Sequence, residues 1–303
     1  MANPTGGLVT QGSEARLLQE GVNAVATIEY KDYEMESDKI FTVTSSEKAY
    51  ELDVSLSGTG LAPVKPEGTA TTYDAEQQDW ATTYIHKVNS LGTIITMEAQ
   101  MNNLYRDLVF KAGRLLKRSL VHTDEQNAAD IINDGYTTTI GDGLPLFDTA
   151  HLLGKGGTFS NQFAVFTQFS QAAVENALIA VEDYRDGANL LIDARGVSLH
   201  GPRNLRFEFD RVLASRFEPG SANNAVNPVS QIFPGGYHIN HRFNTTTDWF
   251  IKTDVEDGFK IFNRAGYTFE TDNDFGTSNY RHKGWFYKSY GLTGPRAAYA
   301  SGT

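Results

Sequence analysis

The chain has 303 residues, enough for one large domain or two ordinary ones, with 40% hydrophobic and 21% charged residues. A packed core is expected and global disorder is not. The net charge of -11 excludes a protein that grips phosphate backbones through a basic stripe, but not one that encloses nucleic acid without gripping it. With no cysteine, disulfides, thiolate metal sites and cysteine nucleophiles are excluded.

Met1 to Ala15 has no basic stretch followed by an apolar core, so no signal peptide is expected. No apolar run approaches the roughly 20 residues of a membrane helix, and no membrane partner is expected. Residues 1–12 read as an extended arm. Ser13 is placed to cap a short helix carrying Leu17, Leu18 and Val22. Lys31 to Lys39 reads as solvated surface.

From Ala49 the pattern alternates. Tyr50, Leu52, Val54 and Leu56 share one face of a strand, and Glu51, Asp53, Ser55 and Ser57 the other. A turn-rich tip follows, with Gly58, Gly60, Pro63, Pro66 and Gly68. A return strand then places Trp80, Thr82, Tyr84, His86 and Val88 on one face. The product is a long two-stranded ribbon. Such a ribbon is marginal alone in water, so something outside it should cover its apolar face.

After Gly92 the period becomes helical. Met97, Met101, Leu104, Leu108, Ala112, Leu115 and Ser119 form a stripe, widened by Tyr105, Val109, Leu116 and Leu120. This spacing predicts a helix over 96–122, the longest in the chain. A second, short helix is expected over 125–133, closed by Gly135 in a left-handed cap. Residues 141–163 read as a glycine-rich loop. Ser170 should cap a helix with Val174, Ala177, Leu178 and Val181 inward. Strands are expected at Leu190–Asp193 and Val197–Leu199, and a helix at 203–216 with Leu205, Phe209, Val212 and Leu213 inward. From Ile232 onward the chain reads mostly as strand, most clearly at 249–251, 259–262 and 282–290. The fold class is α+β, with helices and strands not alternating regularly.

Several groupings resemble reactive sites. Asp142, Asp148 and His151 share the glycine-rich loop and could do acid–base work, but such residues more often shape turns. His238 and His241 would suit a metal only on one helical turn, and the glycines beside them argue for a turn. Gly154-Lys155-Gly156-Gly157-Thr158 fails as a phosphate loop, because neither Ser nor Thr follows the lysine. No catalytic, cofactor-binding or metal-binding residue is assigned, and no enzyme is expected.

Certain segments decide the reading. These are Gly60-Leu61-Ala62-Pro63-Val64-Lys65-Pro66-Glu67-Gly68, Gly92-Thr93-Ile94-Ile95-Thr96-Met97-Glu98, Ile131-Ile132-Asn133-Asp134-Gly135 and, most specific, Asp142-Gly143-Leu144-Pro145-Leu146-Phe147-Asp148-Thr149-Ala150-His151 followed by Gly156-Gly157-Thr158-Phe159-Ser160-Asn161. Pro202, Leu205 and Ala214, then Asn223 to Pro228, then Asp248-Trp249-Phe250, continue the series. In order and spacing they resemble the major capsid proteins of tailed bacteriophages of the Hong Kong 97 type, most nearly the Mu-like major head subunits, from about residue 40 onward.

The resemblance implies an N-terminal arm (1–45), an extended loop (46–92), a peripheral domain with a long spine helix (93–188), an axial domain (189–261) and a C-terminal return to the peripheral domain (262–303). It implies copies gathered as hexamers and pentamers in an icosahedral virion head, assembled in the host bacterial cytoplasm. Double-stranded DNA would be enclosed without sequence-specific binding. A portal protein is implied as partner, and a separate scaffolding protein, since few residues precede the loop. Tyr50, Leu52, Val54 and Leu56, with Lys65 and Glu67 at the tip, are then the expected inter-subunit contacts of the extended loop. Two other readings stay open: a cellular nanocompartment shell of the same fold, and a metal-dependent hydrolase using Asp142, Asp148, His151, His238 or His241.

Overall fold

The structure is a computed structural model describing residues 8–9, 34–75, 77–102, 107–153, 156–217, 226–256 and 258–302; the side chains of residues 8, 9, 56, 57, 77–79, 99, 100, 102, 107–114, 273 and 280 are outside the description. The expected helix at Leu17, Leu18 and Val22 lies outside the described residues, as do Leu104 and Tyr105 and the side chains of Leu108, Val109 and Ala112.

The described strands are β1 (Leu8–Val9), β2 (Thr42–Ser45), β3 (Tyr50–Ser57), β4 (Gln77–Ile85), β5 (Lys87–Ile95), β6 (His151–Leu152), β7 (Thr158–Phe159), β8 (Gly196–Pro202), β9 (Tyr237–Asn240), β10 (Trp249–Thr253), β11 (Phe259–Asn273), β12 (Tyr280–Leu292) and β13 (Ala298–Ser301). The described α-helices are α1 (Met97–Asn102), α2 (Asp107–Asn133), α3 (Gln171–Glu182) and α4 (Arg206–Leu213). The chain divides into two compact units, one of residues 1–35, 86–125 and 263–289, the other of 36–85, 126–262 and 290–303.

In the first unit β5 pairs antiparallel with β12, from Tyr280↔Ile95 to Lys288↔Lys87. β1 runs parallel beside β5, in the order β1-β5-β12-β11. Leu116 and Leu120 of α2 are buried. One turn further on, Asp124 is buried too, taking Lys288 Nζ at 2.6 Å and the Tyr267 hydroxyl on one oxygen. A buried carboxylate needs such partners.

The second unit is built on the sheet β13-β10-β8-β9. β10 is antiparallel to β13 and β8, while β9 is parallel to β8. On one face Leu199, Trp249 and Ile251 meet Val174, Ala177 and Val181 of α3 and Phe209 and Leu213 of α4. On the other, Phe250 and Ala300 join Phe147, Ile132, Phe41 and Phe259. Covered on both faces, β10 is an unbroken apolar run, Trp249-Phe250-Ile251, rather than an alternating one.

Asn161 fastens this unit. Its amide donates to the carbonyls of Leu146 at 2.7 Å and Pro295 at 2.9 Å, and its side-chain oxygen accepts from Asp148 N at 2.9 Å. Its own carbonyl accepts from Ala300 N at 2.8 Å.

Several expectations need correction. The long helix does not stop at 122: α2 is continuous to Asn133, absorbing the second helix. No Gly or Pro lies between Arg114 and Asn133, and Thr123 Oγ1 donates within the helix to Ser119 O. The expected apolar stripe is also rotated. Met101, Leu115 and Ser119 are exposed, whereas Leu116, Leu120, Ala128 and Ile132 are buried. Gly135 is not among the left-handed glycines. It is glycine because a Cβ there would stand 2.9 Å from both Ile132 O and the Phe147 ring.

Leu190–Asp193 is no strand, since Asn189 and Asp193 both take positive φ (67° and 49°) and fold the segment into turns. The helix at 203–216 is a 3₁₀ turn, Arg203–Leu205, followed by α4. The helix behind Ser170 is as expected, with Ser170 accepting from Ala173 N.

Candidate functional site

The ribbon β3–β4 has the register Tyr50↔Ile85, Leu52↔Thr83, Asp53↔Thr82 and Val54↔Ala81, with a bulge between Val54 and Leu56. Residues directly opposite share a face. Tyr50, Leu52, Val54, Ala81, Thr83 and Ile85 therefore form one face, and Glu51, Asp53, Thr82 and Tyr84 the other. The sequence alone suggested a single apolar face. There are two, pointing in opposite directions.

The face of Asp53 and Tyr84 is covered by its own subunit. Trp80 and Tyr84 are buried. Tyr84 packs edge-on against Phe262 with ring centroids 4.8 Å apart, and its ring lies where a Cβ on Gly291 would be 2.7 Å away. Asp53 takes the ammonium of Lys260 and the hydroxyl of Thr293. Burial works against the Asp53 carboxylate, yet these two hydrogen bonds and the Lys260 charge hold its pKa below the ordinary 3.8.

The opposite face is bare. Tyr50 and Leu52 are each 57% exposed and Ile85 is 65% exposed. Val54 is half-buried, and the Leu56 side chain is outside the description. The tip continues the exposure: Lys65 and Glu67 are exposed, and so are Leu61, Val64 and Tyr73, Val64 to 94%. The tip is nonetheless shaped, with Gly60 N donating to Asp74 Oδ2 at 2.7 Å, Thr69 closing on Pro66 O, and Gly68 at φ 79°.

The return strand does not run on to Val88. The chain breaks at His86, which is buried and bonded to Ser289 Oγ at 3.0 Å, and Lys87–Ile95 joins another sheet, leaving Val88 exposed.

The candidate reactive groups resolve differently. Asp142 and His151 do come together, His151 Nδ1 standing 2.5 Å from Asp142 Oδ2 with both side chains buried. Among the described residues His151 Nε2 has no hydrogen-bond partner, and none of them completes the pair as a nucleophile. Asp148 turns away to accept from Ala150 N. His238 lies in β9 against the ring of His200, while His241 points to Glu36, 2.5 Å from Nδ1 to Oε1. Among the described residues no group of three or more His, Asp or Glu is placed to hold a metal ion, and no helix is long and apolar enough to cross a membrane.

A bare apolar face on a ribbon seated by its other face marks a surface for docking, not for chemistry. The profile of the family described as "Phage capsid protein" matches residues 81–301. The chain belongs to the phage capsid protein family. It is a structural protein of the virion, and self-association into a shell is what its surface must support.

No curated protein matches it in sequence. Solved structures share its fold at low identity. The capsid of a native GTA particle aligns with TM-score 0.61 and 11% identity over 90% of this chain and 92% of that one. A chain of Mycobacterium phage Adephagia aligns with TM-score 0.57 and 13% identity over 94% and 92%. The capsid of bacteriophage JBD30 decorated with minor capsid protein trimers aligns with TM-score 0.56 and 13% identity over 78% and 99%. The mixed α and β fold is thus that of phage capsid subunits.

What the sequence did not give is the inward set Asp53, Lys260 and Thr293, and the exposed Ile85, Leu61, Val64 and Tyr73. A polar residue on an alternating strand reads as solvated. Only the pairing register showed that Asp53 shares its face with Tyr84.

Proposed function

We propose that this capsid subunit is a major capsid protein of the Hong Kong 97 type, nearest the Mu-like major head subunits, whose hexamers and pentamers close an icosahedral head around double-stranded phage DNA. The ribbon carries this reading. One face is seated on its own subunit and the other is bare and apolar, and in a shell the surface available to cover it is an adjacent copy. Tyr50, Leu52, Val54 and Leu56 then contact that copy along the ribbon, with Lys65 and Glu67 reaching it at the tip.

The parts follow as an N-terminal arm (1–45), an extended loop (46–92), a peripheral domain with the spine helix (93–188), an axial domain (189–261) and a C-terminal return (262–303). The charge of -11 suits a wall that holds DNA without adhering to it. Assembly takes place in the host bacterial cytoplasm with a separate scaffolding protein and a portal protein.

The test replaces residues 58–76 with Asn-Gly, a two-residue turn matched to the Ser57↔Gln77 pair. Circular dichroism should show a folded subunit. Sedimentation and electron microscopy, with scaffold co-expressed, should show no stable shells where the parent forms them. Normal shells of normal stability would make the loop an ordinary surface hairpin. Shells of the parent that contain an enzyme instead of DNA would favour a nanocompartment.

A further inference from the structure

Thr293 sits just after β12 and is fully buried. Three ribbon residues, one from β3 and two from β4, converge on it. Trp80 Nε1 donates to its carbonyl at 2.8 Å. Its hydroxyl stands 2.7 Å from Asp53 Oδ2 and 2.7 Å from the Tyr84 hydroxyl. A hydroxyl has one proton to give. Because the Asp53 carboxylate can only accept, the Thr293 proton goes there and the Tyr84 O–H donates to Thr293 Oγ1. The chain of donors is therefore directional, from Tyr84 through Thr293 to Asp53, where Lys260 Nζ also donates. The guanidinium of Arg296 lies 5.3 Å from the centre of the Trp80 ring, against its face.

We propose that Thr293 is the positioning residue of the ribbon: it fixes the angle at which β3–β4 leaves the subunit, and so where the bare face and the tip meet the adjacent copy. The assembly half of this proposal rests on the reading above that the ribbon contacts a neighbour. The leverage is geometric. A ribbon of eight or nine residues is about 30 Å long. The seat reaches Asp53 and Trp80, about 12 Å short of the far end, so a tilt of about 10° there moves that end by about 2 Å and the tip beyond it by more, enough to part a side-chain contact. A ribbon has no core of its own to resist such a tilt, so its direction is set where it is fastened.

Thr293→Val keeps the shape and the carbonyl that holds Trp80, but removes the hydroxyl that joins Tyr84 to Asp53. The chain has no cysteine, so spin labels at Thr71→Cys in the exposed tip and Ile179→Cys on the exposed face of α3 report one distance without background. In monomeric subunits the parent and Thr293→Ser should give a narrow distance distribution. Thr293→Val should give a broad one, with a fall in shell yield of about tenfold, the size of one lost buried hydrogen bond, that Thr293→Ser restores. If Thr293→Val fails to fold, Tyr84→Phe cuts the same chain from the other end and should broaden the distribution likewise. An unchanged distribution overturns the positioning role whatever the shells do. A broad distribution with normal shells overturns its part in assembly. Failure of the loop reading is seen separately, in normal shells from the loop-replaced subunit, while the spin-label distance still reads Thr293.

Discussion

The four-stranded sheet β13-β10-β8-β9 and the ribbon β3–β4 draw on the same kinds of residue under opposite conditions. In the sheet, Trp249 and Ile251 face α3 and α4 while Phe250 faces the other way into a second cluster, so both faces are closed within the subunit. In the ribbon, Trp80 and Tyr84 are closed in the same way, but Tyr50, Leu52 and Ile85 on the opposite face are not. An aromatic or aliphatic side chain in the sheet holds the subunit together. Its counterpart on the ribbon's bare face contributes almost nothing until another surface covers it. Stability and assembly should therefore be separable by mutation.

The largest effect belongs to the sheet. Phe209→Ala empties a fully buried ring site where α4 packs on Phe169 and Tyr237 and should cost about 3–5 kcal/mol, read from urea unfolding of the monomeric subunit. A cost below about 1 kcal/mol would mean that the sheet core is as loose as the ribbon.

Next is a pH dependence that arises in the sheet. His200 is buried beneath Phe250, and burial first, then the charges of His238 and Lys252, hold its pKa well below 6.5. As pH falls through about 6.5 the unfolded chain takes up a proton that the folded chain refuses. The unfolded state then binds more protons, so stability falls toward acid, by up to about 1.4 kcal/mol per pH unit, until the folded imidazole is itself protonated. His200→Gln should flatten the slope of urea stability between pH 6.5 and 5.5. An unchanged slope would assign the acid sensitivity elsewhere.

Smaller again is Ser170→Ala, which removes the cap of α3 and should lower stability by about 1 kcal/mol, leaving shell geometry untouched. Smallest in the monomer is Leu52→Ser, expected within about 0.5 kcal/mol of the parent, yet it should sharply reduce shell yield by light scattering. A Leu52→Ser subunit that assembles normally would erase the contrast between the two regions.

What was legible in the sequence was local. Ser170 followed by Val174, Ala177 and Val181 fixes a capped helix within a dozen residues, and the apolar run at 249–251 fixes a buried strand. What was not legible depended on distant partners. The alternation at 50–56 and that at 80–84 each define two faces, but a long tip between them leaves their relative phase open, and a bulge at Val54/Leu56 shifts it further. The helix was expected to stop at 122 and a second to start at 125, because nothing nearby in sequence announces Lys288 and Tyr267 as partners for a buried Asp124 between them. The Asp142–His151 pair was visible as a pairing of types, but its burial came from the surrounding fold. The six expected contact residues rest on alternation and on resemblance, and their contacts with a neighbour remain a proposal. The anchoring set around Thr293 could not be, since it joins positions more than 200 residues apart.

Asn161 has a consequence for the order of folding. It ties Leu146 and Asp148 to Pro295 and Ala300, joining positions up to 139 residues apart, and the seat of the ribbon around Thr293 joins positions farther apart still. Contacts of such separation form slowly, because a long loop must close before they gain anything. The ribbon is therefore aimed late in folding, after local elements such as the helix behind Ser170 have formed.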